Sequence, residues 1–195
     1  MILLARHGET DDNVPPYRFQ GQRDTPLNEC GRAQARELAE RVAALDPPIA
    51  SLWCSDLSRA RETAEIVGAR IGLEPRADAR LREGWRGEWE GFLFEEIAER
   101  DPERYAAWRN PDGAEGFRFP GGESLREQQA RVLASLADIA GDGGRPSSGD
   151  VALVVCHGGS IRTVLCARDP RGLAAFHTFT VPNVALVPVE QAVLR

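Results

Sequence analysis

The 195-residue chain has no lysine: all 24 of its basic residues are arginine. Codon bias in a G+C-rich genome explains this more simply than selection does, yet every cation present is a planar fork able to grip a phosphate with two hydrogen bonds. Cysteine is scarce. Cys30, Cys54, Cys156 and Cys166 are too few and too scattered for a disulfide framework, and the lack of any Cys-x-x-Cys pair argues against a zinc site. Long apolar runs are missing too. The N-terminal run, Met1 to Ala5, leads straight into charge, so no signal peptide is expected, and no window approaches a membrane span. Positive charge does not dominate: the formal net charge of -6 disfavours a nucleic-acid or membrane-surface partner. No internal repeat is visible and no disordered tail is expected. These absences leave a cytoplasmic protein with reduced thiols and no metal. Its length suits a single domain over residues 1–195, burying roughly 70% of the surface exposed by the unfolded chain.

What is present alternates. Met1 to Ala5, Ala50 to Cys54 and Val151 to Cys156 are continuously apolar, as strands covered on both faces should be. Val184 to Val189 is a weaker strand, demoted towards an edge by Pro188. Between them run helical stripes: Ala35, Leu38, Ala39, Val42 and Leu45; Ala60, Ala64, Val67 and Ile71; Leu125, Val132, Leu133, Leu136 and Ile139. Pro47-Pro48 stops the first, and Gly141 to Gly149 reads as a loop after the third. The pattern predicts an α/β fold, a three-layer α/β/α sandwich around a mostly parallel central sheet. Residues 84–122 interrupt it with Trp85, Trp89, Trp108, Phe92, Phe94, Phe117 and Phe119, and read as a small inserted lobe of helix and loop. Most of these aromatics are expected to form the lobe's own core, with one or two facing a substrate.

The strand ends carry the chemistry. The first strand runs into Arg6-His7-Gly8-Glu9-Thr10, the second into Ser55-Asp56-Leu57-Ser58-Arg59, the third into Cys156-His157-Gly158-Gly159-Ser160. In parallel sheets, ligands bind at this edge. Two arginines and two histidines would converge there, beside helix N-termini offering N–H donors, in a nest suited to a dianionic phosphate. Imidazole is also partly neutral, and so nucleophilic, near pH 7. Taken singly, Arg59 could be solvated and His157 a core residue; three strands ending this way are harder to dismiss.

The combination resembles the histidine phosphatase superfamily, also called phosphoglycerate mutase-like, over nearly the whole chain. The matching stretches are Arg6-His7-Gly8-Glu9-Thr10 with Asn13, Gln20-Gly21, Asp24-Thr25-Pro26-Leu27, Ser55-Asp56-Leu57-Ser58-Arg59-Ala60, Leu81-Arg82-Glu83, Trp89-Glu90-Gly91, Gly121-Gly122-Glu123-Ser124 and His157-Gly158-Gly159. The resemblance implies a phosphomonoester hydrolase acting on a small phosphorylated metabolite, without cofactor. His7 would become the phosphohistidine, and Arg6, Arg59, Asn13 and His157 would hold phosphate oxygens. Glu83 would be general acid and base, and would need a raised pKa, for which Trp85 or Trp89 could supply an apolar wall. By residue chemistry alone, Glu83 reads as a solvated carboxylate in the charged run from Arg80 to Glu90. Gln20, Gly21, Trp85 and Arg86 are the candidate substrate-pocket residues. Arg86 could bind a second acidic group, although such an arginine is more often solvated.

The mutase branch usually carries a longer insertion after the acid, with a Glu-Arg-His-Tyr-Gly stretch; here Gly84-Trp85-Arg86-Gly87-Glu88-Trp89-Glu90-Gly91 follows. A phosphatase similar to the α-ribazole and broad-specificity branch is favoured, with cofactor-dependent phosphoglycerate mutase as the alternative. Gly84-Trp85-Arg86 departs from the usual hydrophobic-acidic-aromatic triplet, which bears on substrate identity. Two readings rank lower. Cys156 to Thr163 also fits the C-x-x-G-x-x-R-[S/T] phosphate loop of cysteine-dependent phosphatases, with Cys156 as nucleophile and Arg162 as phosphate fork; Cys156 reads better as a strand end facing the core. A phosphate-binding module without turnover is the other. Homodimerisation is left open.

Overall fold

The computed structural model describes residues 1–111, 115–141 and 151–189. In chain order the elements are β1 (Ile2–Arg6), α1 (Glu29–Ala43), β2 (Ile49–Cys54), α2 (Ser58–Ile71), β3 (Arg76–Ala77), α3 (Phe94–Arg100), α4 (Pro102–Arg109), α5 (Leu125–Gly141), β4 (Val151–Cys156), α6 (Gly158–Cys166) and β5 (Leu186–Val189). Side-chain alternation along the strands sets the layers. Leu3 and Ala5 of β1, Leu52 and Cys54 of β2, and Val151, Leu153 and Val155 of β4 share one face. That face is covered by Leu38, Ala39 and Val42 of α1 and by Ala60, Ala64 and Val67 of α2. Ile2, Leu4, Val154 and Cys156 point the other way, against Val132, Leu136 and Ile139 of α5 and Ile161 and Val164 of α6. Each such fully buried leucine stabilises the fold enough that truncation to alanine costs about 2–5 kcal/mol.

The strand order is β3-β2-β4-β1-β5, with β5 antiparallel to β1 and the other pairs parallel. This is the three-layer, mostly parallel sandwich that the strand and helix patterns predict. Pro188 does lie on an edge strand, paired with Leu3. The strand is shorter than expected, because Val184 adopts φ 53° and the regular ladder begins only at Leu186. β3 is two exposed residues, Arg76 and Ala77, with no apolar signal to betray it. α1 starts where the Asn28 side chain accepts the Gly31 N–H at 2.8 Å. Gly31 also lets the helix meet the loop after β1: a Cβ on Gly31 would stand 2.7 Å from the Glu9 backbone nitrogen.

Within residues 84–122, Trp89, Ile97, Trp108, Phe117 and Phe119 cluster with Phe19, Leu125 and Phe176. Most of the aromatics there are core, but the core is shared with residues outside the stretch rather than the lobe's own, and Phe94 and Trp108 also face a cavity. Residues 112–114 of that stretch, the expected loop beyond Gly141, and the end of the chain from residue 190 lie outside the described residues.

Candidate active site

Strand register sets the site. Arg6 pairs with Cys156 across β1 and β4, so the next residues, His7 and His157, leave the sheet side by side. Their ring centroids are 5.1 Å apart at 60°. The His7 N–H donates to the Cys156 carbonyl at 3.0 Å, and the Ser55 N–H beyond β2 donates to the Val155 carbonyl at 2.9 Å. His7 Nδ1 lies 2.6 Å from the Gly8 carbonyl. A carbonyl oxygen only accepts, so the proton sits on Nδ1 and Nε2 keeps its lone pair. Burial, then the charges of Arg59, His157 and Arg6, hold this imidazole well below its ordinary pKa, against the bond to Gly8. His7 is therefore neutral at pH 7. His157 is likewise held neutral, by burial first and then by Arg59, Arg131 and Arg6. Its Nε2 meets Ser55 Oγ at 2.8 Å, while its Nδ1 is buried without a partner.

The arginines are anchored at one end and open at the other. Arg6 Nη1 donates to the Val181 carbonyl at 2.6 Å, leaving Nε buried and unpartnered. Arg59, fully buried in the first turn of α2, donates to the carbonyls of Arg23 (2.8 Å) and Gly21 (2.7 Å), and its Nε is also unpartnered. Burial lowers both guanidiniums to about 10, with Glu83 opposing, so both remain cations at pH 7. Asn13 Oδ1 accepts the Thr10 N–H at 3.0 Å, and its Nδ2 is buried and free of partners. Buried donors without acceptors are costly, and three of them, Arg6 Nε, Arg59 Nε and Asn13 Nδ2, together with the unpartnered His157 Nδ1, form a ready anion cradle around one neutral imidazole.

Glu83 sits against this cradle, its side chain 14% exposed. Arg131 of α5 clasps its segment, donating to the carbonyls of Arg80 (2.8 Å), Arg82 (2.7 Å) and Glu83 (2.9 Å). The carboxylate accepts from Gly84 N (2.8 Å), Gly159 N (2.8 Å) and Gln128 Nε2 (2.8 Å), and Arg86 Nη2 lies 3.3 Å away. The expected raised pKa is overturned. Burial does push it up, but Arg86 and the three hydrogen bonds outweigh that and hold the group at about 2. The suggested apolar wall is absent: Trp85 is 49% exposed, and Trp89 lies in the aromatic cluster.

Other expectations change as well. Gln20, Gly21 and Arg86 line the cavity, whose volume is about 480 Å³, but Trp85 does not. Glu123 holds the Trp85 backbone from both sides, at 2.8 and 3.0 Å, and turns the ring outward. Arg86 is buried, not solvated. The expected helix N–H donors are partly occupied, Ser58 N by Asp24 (2.7 Å) and Gly159 N by Glu83. Cys156 is fully buried among α5 and α6 side chains, and burial pushes its thiol up to about 12, so it offers no thiolate. Arg162 faces the cavity but does not serve Cys156. Residue patterns assigned no role to Ser55, Gln128, Phe176, His177 or Asn183; only Ser55, at a strand end, carries a signal that could have found it. Among the described residues, no cluster of three metal-ligating side chains occurs and no helix is long and apolar enough to cross a membrane.

A parallel-sheet edge carrying a neutral histidine, with its lone pair free among arginine forks, defines an α/β protein suited to receive a phosphoryl group. The chain belongs to the histidine phosphatase superfamily (branch 1), whose family model matches residues 2–192. It is 37% identical over 170 residues to glucosyl-3-phosphoglycerate phosphatase of Mycobacterium tuberculosis, covering 85% of this chain and 74% of that one. The structure of mycobacterial glucosyl-3-phosphoglycerate phosphatase with VO3 superposes with a TM-score of 0.83 at 32% identity, over 95% of this chain and 90% of that one. Phosphoglycerate mutase-like protein 4 of Arabidopsis thaliana is 38% identical over 165 residues, 84% of this chain and 68% of the relative. The α-ribazole phosphatase of Shigella flexneri matches with a TM-score of 0.78 at 25% identity, over 93% and 86% of the two chains.

Proposed function

We propose that this enzyme hydrolyses phosphomonoesters through a phosphohistidine on His7. Nε2 attacks phosphorus in line; the N–P bond forms as the ester P–O bond breaks, and protonated Glu83 gives its proton to the leaving oxygen. Water then attacks phosphorus, Glu83 takes the proton back, and the N–P bond breaks to release inorganic phosphate. Arg6 Nε, Arg59 Nε, Asn13 Nδ2 and His157 Nδ1 hold the phosphoryl oxygens through both steps. The observation that carries this reading is those three buried, unpartnered donors and the unpartnered His157 Nδ1 around a neutral His7. Phosphoryl transfer asks mainly for such positioning and charge.

Phosphatase is favoured over mutase because no basic insertion follows Glu83, which leaves water as the acceptor. The substrate is a small phosphorylated metabolite. Gln20, Gly21 and Arg86 line its cavity, and Phe176 and Trp108 with Arg162 stacked 5.6 Å from the Phe176 ring centre form a further wall. The enzyme works in the cytoplasm as one unit over residues 1–195, needs no metal or cofactor, and binds neither nucleic acid nor membrane. Rapid quench with 32P-labelled substrate tests the mechanism: the label stays on the protein as an acid-labile, base-stable adduct, and its absence would sink the phosphohistidine. A phosphometabolite screen with EDTA, including 3-phosphoglycerate with and without 2,3-bisphosphoglycerate, separates hydrolysis from mutase activity and from metal dependence.

A further inference from the structure

Arg86 is 8% exposed, and its guanidinium carbon lies 4.5 Å from the Phe119 ring centre. The ring fixes the plane of the fork and keeps water off one face. Two glycines make room for it: a Cβ on Gly84 would lie 2.7 Å from Nη1, and one on Gly159 would lie 2.8 Å from Nη2 and overlap Glu83 Oε1. Within that slot Arg86 makes the one ion pair that Glu83 has among the described residues. Nη1 is buried and donates to nothing among the described residues. Arg86 also lines the cavity in which a phosphate would sit. Gln128, fully buried, gives Nε2 to the Glu83 carboxylate and leaves Oε1 without a donor. Turning that amide over would offer an acceptor to a protonated Glu83, so the pocket has the groups to serve both protonation states.

We propose that Arg86 is a positioning residue for the proton donor. It holds Glu83 as the carboxylate while no phosphate is bound and yields that hold to an arriving phosphoryl dianion, so Glu83 takes up its proton only with substrate in place. Other charges face the pair. Arg6 at the end of β1, Arg59 on α2 and Arg162 on α6 also favour the carboxylate, but none forms an ion pair with it. Glu90, which accepts the Arg86 backbone N–H at 3.0 Å, and Glu123 also act on Arg86, and Glu123 is itself paired with Arg131 at 2.5 Å. His177 is held neutral by burial. A dianion brought into the cavity competes with Glu83 for the Arg86 charge, and the balance that burial opposes then tips towards the protonated acid.

The inference presupposes that Glu83 is the proton donor, and its test keeps the two claims apart. Wild type, Arg86→Met and Arg86→Lys are compared by 13C NMR titration of the Glu83 carboxyl, assigned by its loss in Glu83→Gln, with and without inorganic phosphate. The pH dependence of kcat/KM is measured on an alkyl phosphate. In Arg86→Met, Glu83 is expected to titrate at least about one pH unit higher, and the alkaline limb of kcat/KM, where the protonated acid is lost, to move up with it. Arg86→Lys falls between. Inorganic phosphate raises the titration in wild type and raises it less in Arg86→Met. An unmoved titration, or an equal response to phosphate, overturns the proposal; should Arg86→Met not fold, Arg86→Lys decides in the same way. A moved titration alongside a Glu83→Gln variant that hydrolyses alkyl phosphates normally would remove Glu83 as donor while keeping the Arg86 coupling.

Discussion

The two halves of the cavity are built by different physics. The floor hangs from sheet register: His7 and His157 follow directly on the β1–β4 pair and are tied by backbone hydrogen bonds of the ladder. The roof is held by ring packing, with Phe19 at 4.3 Å from Phe94 and 5.0 Å from Trp108, and Trp89 at 5.4 Å from Phe119. A ladder sets positions to fractions of an ångström and tolerates little change, so it suits reacting groups. Packed rings tolerate substitution at the cost of shape, so they suit the part of a site that selects a substrate. Glu83 and Arg86 lie where the halves meet, and there charge rather than packing decides the chemistry.

Substitutions should separate the halves. The largest effect falls on the floor: His7→Ala should lose more than about a thousandfold in kcat, with fold retained by circular dichroism, while Cys156→Ser keeps most activity. The reverse outcome would restore the cysteine mechanism. Next comes the seam. Glu83→Gln should slow alkyl phosphates by roughly 10²–10⁴ but slow p-nitrophenyl phosphate far less, because that leaving group hardly needs a proton; equal losses would break the assignment of the acid. The roof should respond in binding. Phe94→Ala, which opens the wall beside Phe19, is expected to raise KM by up to about tenfold with kcat nearly unchanged, and a kcat loss as large as that of Glu83→Gln would erase the distinction between the halves. Trp85→Ala, on an exposed ring outside the cavity, should change KM by less than about twofold and stability by within about 0.5 kcal/mol, read by thermal melting.

Much of the floor is legible in the chain because its signals are local. A continuous apolar run marks a doubly covered strand, and a histidine or arginine at its end must emerge at the sheet edge. β1, β2 and β4, the three stripes and their strand-end residues all follow from such runs. The seam is less legible. Trp85 stands two residues from Glu83 and looks like a pocket wall, but Glu123, 38 residues on, turns it away. Arg86 looks like one more solvated arginine until Gly84, Gly159 and Phe119 close around it.

The sequence by itself determines which groups are available and that three strand ends carry them, since apolar runs and their interruptions are properties of neighbouring residues. It also determines the layered fold, because doubly apolar strands can be satisfied only by helices on both faces. Tertiary structure alone decides the protonation states. His7 is neutral because it is buried with Arg59, His157 and Arg6 close by. With no phosphate bound, Glu83 is ionised because Arg86, Gly84, Gln128 and Gly159 converge on it from separate parts of the chain and overcome the burial that would neutralise it. A pKa depends on distance and water exclusion, which no local pattern of residues encodes.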